Sequence, residues 1–211
     1  MKKVLILVNG EYGDYSFCKA WQKYDKIICA DNGMKHARRL GIIPDLIVGD
    51  FDSSNPEDLI YFKALGVQIE QFDPHKDATD TELAVKCGVS FGASKITIWG
   101  GAGTRLDHTL ANVQLLYQLL MQNIEAELIN PYNHVYLIKE HGRIRGKKGD
   151  LVSLIPFAGE VTGITTKYLA YPLEKATMRL GTSLGISNVL LSDEAEIWLE
   201  SGILIAILAQ D

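Results

Sequence analysis

Cysteine is scarce and scattered. Cys18, Cys29 and Cys87 are an odd number with no Cys-x-x-Cys pair among them, so neither a disulfide framework nor a structural zinc site is indicated, and a reducing cytoplasm fits. Basic charge is also short. The formal net charge is −5, whereas a nucleic-acid-binding face needs a basic excess to neutralise phosphates, so no nucleic-acid partner is expected. No apolar run approaches the roughly 20 residues that span a bilayer, and no membrane partner is expected either. The opening run Met1 to Gly10 mimics a signal peptide, but its apolar stretch is short and no small-residue cleavage site follows, so it reads as a buried strand. A chain of 211 residues, 47% hydrophobic and 22% charged, is ordinary for a globular protein and has room for one large domain or two small ones.

The texture of the chain favours two. Up to about residue 138, β-rich runs (Val4 to Val8, Ile27 to Ala30, Leu46 to Val48, Val67 to Phe72, Ile96 to Trp99, Ala126 to Ile129) alternate with segments at helical spacing. Those segments are Met34 to Leu40, Leu59 to Leu65, Asp80 to Phe91 and Leu106 to Gln122, with Gly41, Gly66 and Gly92 as stop signals. The expectation for 1–138 is an α/β domain with a doubly wound, mainly parallel sheet. From 139 to 211, frequent glycines punctuate short segments such as Leu151 to Ile155, which predicts a smaller antiparallel β-sandwich with Arg143 to Lys148 as its opening hairpin. The basic residues of that hairpin read as a solvated turn rather than an anion patch.

Four polar clusters follow apolar runs: Asp31-Asn32-Gly33, Gly49-Asp50-Phe51-Asp52-Ser53, Lys76-Asp77-Ala78-Thr79-Asp80 and Gly100 to His108. In an open parallel sheet, loops leaving the carboxyl ends of strands converge on one edge, so these clusters can meet around one ligand. Asp50 and Asp52 flank Phe51, and on extended backbone both carboxylates face one side, as Mg²⁺ would need. The same residues also read as a polar turn, with Asp52 or Ser53 capping the next helix. Thr79 and Glu82 fit a capping box that puts Asp80 in the first helical turn, either as dipole complement or as a third metal-facing carboxylate. Gly100 to Gly103 lacks the Gly-Lys-Ser/Thr ending of a P-loop, yet its backbone can approach an anion, with Arg105 as a two-pronged phosphate clamp. His108 and Asn112 share a helix face that either orients a ligand or caps and solvates. For Asn32 and Gly33 a tight turn at positive φ suffices, while Asp31 either binds a nucleotide or caps a helix.

In order, these segments resemble the thiamine pyrophosphokinase family, from the first strand through Ser187-Asn188. The matching motifs are Pro44-Asp45 leading into Gly49 to Ser53, Asp77 to Asp80, and Gly100-Gly101 with Arg105 to His108. The resemblance implies an α/β nucleotide-binding domain followed by a thiamine-binding β-sandwich, and a homodimer with its site between subunits. It also implies Mg²⁺-dependent transfer of pyrophosphate from ATP to the hydroxyl of thiamine. Asp50, Asp52 and Asp80 would hold the metal and, with Arg105, form the catalytic set. Asp31, Asn32, Gly33, Lys76, Thr79, Gly101, Arg105, Asp107 and His108 would hold ATP, and Ser187 and Asn188 would meet thiamine.

Two positions depart from the family pattern, which commonly has Asp-Gly-Gly at Asp31-Asn32-Gly33 and a further glycine at Thr104. Asn32 tolerates positive φ, whereas the β-branch of Thr104 would narrow a phosphate approach. Trp198 is the aromatic available for stacking on thiamine, although its alternating strand predicts a core position. The residues leave other functions open: an aspartate-dependent phosphatase using Asp50 and Asp52, a non-catalytic thiamine or nucleotide sensor, or a transferase acting on another heterocyclic alcohol.

Overall fold

A computed structural model describes residues 1–52, 54–73 and 77–210, and divides the chain into two compact units, Met1–Pro131 and Tyr132–Asp211. The first unit opens with β1 (Lys3–Leu7), β2 (Lys26–Ala30), α1 (Gly33–Leu40), β3 (Leu46–Gly49) and α2 (Pro56–Ala64). It continues with β4 (Gln68–Gln71), α3 (Asp80–Ser90), β5 (Lys95–Trp99), α4 (Leu106–Met121) and β6 (Glu125–Ile129). The six strands form a parallel sheet in the order β4-β3-β2-β1-β5-β6. Residues such as Leu5, Ile28, Ile47 and Ile98 are fully buried, because strands covered on both faces need apolar side chains on both. Edge strand β4 is only half covered and reads Gln-Ile-Glu-Gln. Among the described residues, no helix is long and apolar enough to cross a membrane.

Local signals set the helix boundaries. Gly41, at φ 66°, donates its N–H to the carbonyls of Ala37 and Arg38 and ends α1. The side chain of Asn55 accepts from Glu57 N–H with Pro56 next to it, so α2 is capped by Asn55 rather than by Asp52. Thr79 Oγ1 accepts from Glu82 N–H at 3.2 Å, while the Glu82 carboxylate pairs with Lys86 at 2.8 Å.

The second unit comprises β7 (Asn133–Ile138), β8 (His141–Arg145), β9 (Leu151–Lys167), β10 (Ala176–Met178), β11 (Asn188–Val189), β12 (Glu194–Trp198) and β13 (Ser201–Ala209). Strand β7, within the range expected for the α/β domain, instead pairs along its length with β13. All pairings in this unit are antiparallel, as the glycine-rich texture predicts. In place of a short strand at Leu151 to Ile155, β9 is a 17-residue strand serving both layers. Its first half pairs with β13 and β11, its second with β12 and β10. Between and within these halves, Ala158, Gly159 and Gly163 take positive φ and turn the strand. Val152, Leu154, Ile164, Leu190, Ile197 and Leu204 form its core.

Two expectations for this unit are corrected. Arg143 and Arg145 lie on β8, not in a hairpin turn, and face Glu194 and Glu196 across the strand pair, Arg145 to Glu194 at 2.8 Å. Trp198 is not core: Ala195 and Ile197 take the inner face of β12, which leaves Trp198 half-buried against His141 and under the Lys167 ammonium.

Gly33 is needed for close approach, since a Cβ there would stand 2.0 Å from the Leu7 carbonyl oxygen. Gly33→Ala is expected to destabilise the fold by roughly 1–3 kcal/mol through overpacking of α1 against β1, read as a lower midpoint in urea denaturation.

Candidate active site

The strand order places the functional loops. From β1 the chain builds outward through β2, β3 and β4, then returns to the other side of β1 with β5, so the order reverses between β1 and β5. Ligands of open α/β sheets bind outside the carboxyl ends of strands at such a reversal. A cleft of about 860 Å³ lies there, lined by the loops that follow β1, β2, β3 and β5 and by the start of α3.

Eight of the expected residues line it: Asp31, Asp50, Asp52, Thr79, Asp80, Gly101, Arg105 and His108. Asp31 follows β2 at φ 46°, with its N–H on the Val48 carbonyl and its carboxylate accepting from Ser54 Oγ at 2.5 Å. The positive φ therefore falls on Asp31, not Asn32, whose φ is −61°. Asn32 and Gly33 start α1, away from the cleft lining, so the Asp31-Asn32-Gly33 departure needs no left-handed asparagine. Nor is the backbone extended between Asp50 and Asp52. Phe51 is left-handed at φ 64°, and Asp52 N–H donates to Asp50 Oδ1 at 3.2 Å, so a tight turn, not strand alternation, brings both carboxylates to the cleft.

The glycine-rich loop is held from behind. The buried amide of Asn112 donates to the Gly101 carbonyl at 2.7 Å, and Asn130 donates to that of Ala102 at 3.4 Å. Asn112 thus fixes the loop, while His108, one turn earlier, is exposed in the cleft. Thr104 also lines the cleft, and Thr109 Oγ1 accepts from Gly103 N–H at 3.2 Å. Arg105 is exposed and forks onto Asp107 at 2.5 and 3.2 Å. That hydrogen bonding holds the Asp107 carboxyl down at about 2 and raises Arg105, although Asp107 itself does not line the cleft.

Lys76 lies outside the described residues, as does Ser53. In the second unit, Ser187 is exposed at φ 56°, and Asn188 is buried with both ends of its amide engaged: Oδ1 accepts from Tyr171 and Val189 N–H, and Nδ2 donates to the Tyr171 carbonyl. That geometry locks two backbone segments together. Sequence reasoning missed the whole loop after β1, Asn9 to Gly13, which lines the cleft. An Asn-Gly pair directly after the first apolar run was the available signal.

Among the described residues, no three His, Cys, Asp or Glu side chains form a ready-made metal cage. An ion that takes one or two carboxylates and completes its shell with water and phosphate fits such a site.

A family model described as the thiamin pyrophosphokinase catalytic domain matches residues 17–128, most of the first unit. This chain belongs to the thiamin pyrophosphokinase family. The family's second model, the vitamin B1 binding domain, matches residues 135–204. Thiamine pyrophosphokinase of Bacillus subtilis (strain 168) is 32% identical over 186 residues, 87% of each chain. A crystal structure of the enzyme from that species superposes with a TM-score of 0.90 at 30% identity, covering all of both chains. One from Geobacillus thermodenitrificans gives 0.86 at 26% identity over 99% of this chain and 98% of its own. Across the family's matched span, the first unit contributes the cleft and the second the module that the family model associates with vitamin B1.

Behind the cleft, His36 of α1 is buried, and burial followed by the charges of Lys35 and Arg39 pushes its pKa down to about 4. An unfolded chain with a His near 6.5 binds more protons between those values, so His36 makes stability fall as pH drops from about 6.5 towards about 4. His36→Phe should flatten that part of the profile, measured as the wild-type minus variant difference in urea unfolding free energy across pH.

Proposed function

We propose that this chain transfers the pyrophosphoryl group of ATP to the primary hydroxyl of thiamine, giving thiamine diphosphate and AMP, with Mg²⁺ as the metal. One observation carries the reading: carboxylates after β2 and β3, Asp80 at the start of α3, and the glycine-rich loop with Arg105 after β5 all face one cleft at the reversal of strand order. Substituted phosphates and their metal need that combination, and the family membership specifies the acceptor.

The hydroxyl oxygen of thiamine attacks the β-phosphorus of ATP, the bond from that phosphorus to the oxygen bridging to the α-phosphate breaks, and its electron pair leaves with AMP. A loose phosphoryl-transfer transition state asks the protein mainly for alignment and charge neutralisation, and the hydroxyl proton can depart late. Asp50, Asp52 and Asp80 would hold Mg²⁺, directly or through water. The bound ion would draw charge from the phosphate oxygens. Arg105 would grip phosphate oxygens by turning its fork from Asp107, and Lys76 would assist. Thr79 holds the start of α3 so that Asp80 stays at the cleft. The glycine-rich loop, with its carbonyls turned to Asn112 and Asn130, brings backbone close to the anion.

We further infer a homodimer in the cytoplasm, with thiamine bound by the second unit near Ser187 and Asn188. Exposed Tyr168, Tyr171, Leu180 and Leu184 support an apolar partner surface there, and three free cysteines support a reducing compartment.

Incubation with ATP, Mg²⁺ and thiamine should yield thiamine diphosphate and AMP in equal amounts by mass spectrometry. ADP with thiamine monophosphate, or inorganic phosphate without an acceptor, would overturn the assignment. Asp52 is exposed, so Asp52→Ala should leave the melting temperature unchanged while lowering kcat by about 100-fold or more and raising the Mg²⁺ concentration needed for half-maximal rate.

A further inference from the structure

Two loops that share no sequence motif interlock at the floor of the cleft. A Cβ on Gly10, after β1, would stand 1.7 Å from the Gly100 carbonyl oxygen, after β5. Glu11 N–H reaches the Ala102 carbonyl at 3.5 Å. Between them lies Tyr12, which is 3% exposed although it lines the cleft. Its hydroxyl donates to the Trp99 carbonyl at 2.9 Å, at the last residue of β5. Its ring fills the space where a side chain at residue 100 would begin, for a Cβ on Gly100 would meet Tyr12 Cε2 at 2.3 Å, and Gly100 takes φ 73°. Tyr12 therefore sets where the glycine-rich loop leaves the sheet.

A second element supports Tyr12 from behind. The His36 imidazole stacks on the Tyr12 ring, with centroids 3.7 Å apart and planes at 14°. Tyr15 Oη bonds to His36 Nδ1 at 2.7 Å, and the Arg39 guanidinium lies over the Tyr15 ring. Among the described residues His36 Nε2 has no hydrogen-bond partner, a cost that a purely structural packing position would avoid with an apolar residue. The stack ties α1, which begins two residues after Asp31, to the loops after β1 and β5.

We infer that Tyr12, backed by His36, is a positioning residue for the nucleotide: it fixes the Gly100 to Gly103 loop relative to the loop after β1, so that the triphosphate is held in one register. Tyr12 acts through the Trp99 carbonyl and the Gly100 backbone and takes no part in bond making. The inference rests on the nucleotide-binding reading of the cleft. Since the loop holds ATP in ground and transition states alike, its loosening acts on ATP affinity more than on turnover.

The test compares wild type, Tyr12→Phe and Tyr12→Leu in full-length protein, by steady-state kinetics and by equilibrium binding of ATP without thiamine. Loss of one neutral hydrogen bond in Tyr12→Phe should raise the KM and Kd for ATP by about fivefold to tenfold. Tyr12→Leu, which also loses the stack, should raise them further, while the KM for thiamine stays within about twofold and kcat falls less than ATP affinity. Unchanged ATP binding in both variants, or a parallel rise in both KM values, would overturn the inference while thiamine diphosphate synthesis by wild type stands. If wild type binds ATP but makes no thiamine diphosphate, the assigned reaction fails, and the contrast in ATP binding still decides the role of Tyr12. Wild type that binds no ATP defeats both.

Discussion

At the centre of the first unit, the backbones leaving β1 and β5 approach so closely that Gly10 has no room for a side chain, and the Tyr12 ring takes the room beside Gly100. The cleft depends on that approach. Adjacent parallel strands stand about 4.8 Å apart, and between β1 and β5 the chain departs in opposite directions, so the crevice opens beside two loops that nearly touch. Buried Asn112 takes the Gly101 carbonyl, and buried Asn130 joins the Glu11 N–H on that of Ala102.

The carboxylates arrive by a different device. Asp31 and Phe51 both adopt left-handed backbone, a conformation that is costly for residues with side chains and that persists where surrounding contacts over-determine it. Here those contacts are the Asp31 N–H to Val48 carbonyl bond, the Ser54 hydroxyl on Asp31, and Gly49, whose missing Cβ leaves room for Asp31 and the Phe51 ring. Local strain and the placement of acidic groups at the cleft coincide. The Arg105–Asp107 pair is the exposed counterpart: its ionic bond is screened by solvent.

The second unit follows different rules. Its core is closed by one strand, β9, which crosses from layer to layer by bending at Ala158, Gly159 and Gly163. Cross-strand ion pairs on β8 and β12 cover the outer face, and the Asn188 amide ties β11 to the segment at Tyr171.

The sequence by itself determined the α/β character of the first unit, because buried parallel strands must be apolar on both faces and helices must bury one stripe. It also determined the ends of α1 and α3, because Gly41 and the Thr79 cap act within a few residues of where they stand. The family was legible in the order of its acidic and glycine-rich clusters. The tertiary structure alone decided the rest: that strand order reverses between β1 and β5, that Asp50 and Asp52 converge through a left-handed Phe51 rather than by strand alternation, and that Trp198 faces outward. It alone showed Asn112 serving the loop and Tyr12 joining two loops distant in sequence. Each of these depends on which segments become neighbours, and neighbour choice is set by packing over the whole chain, not by any short run of residues.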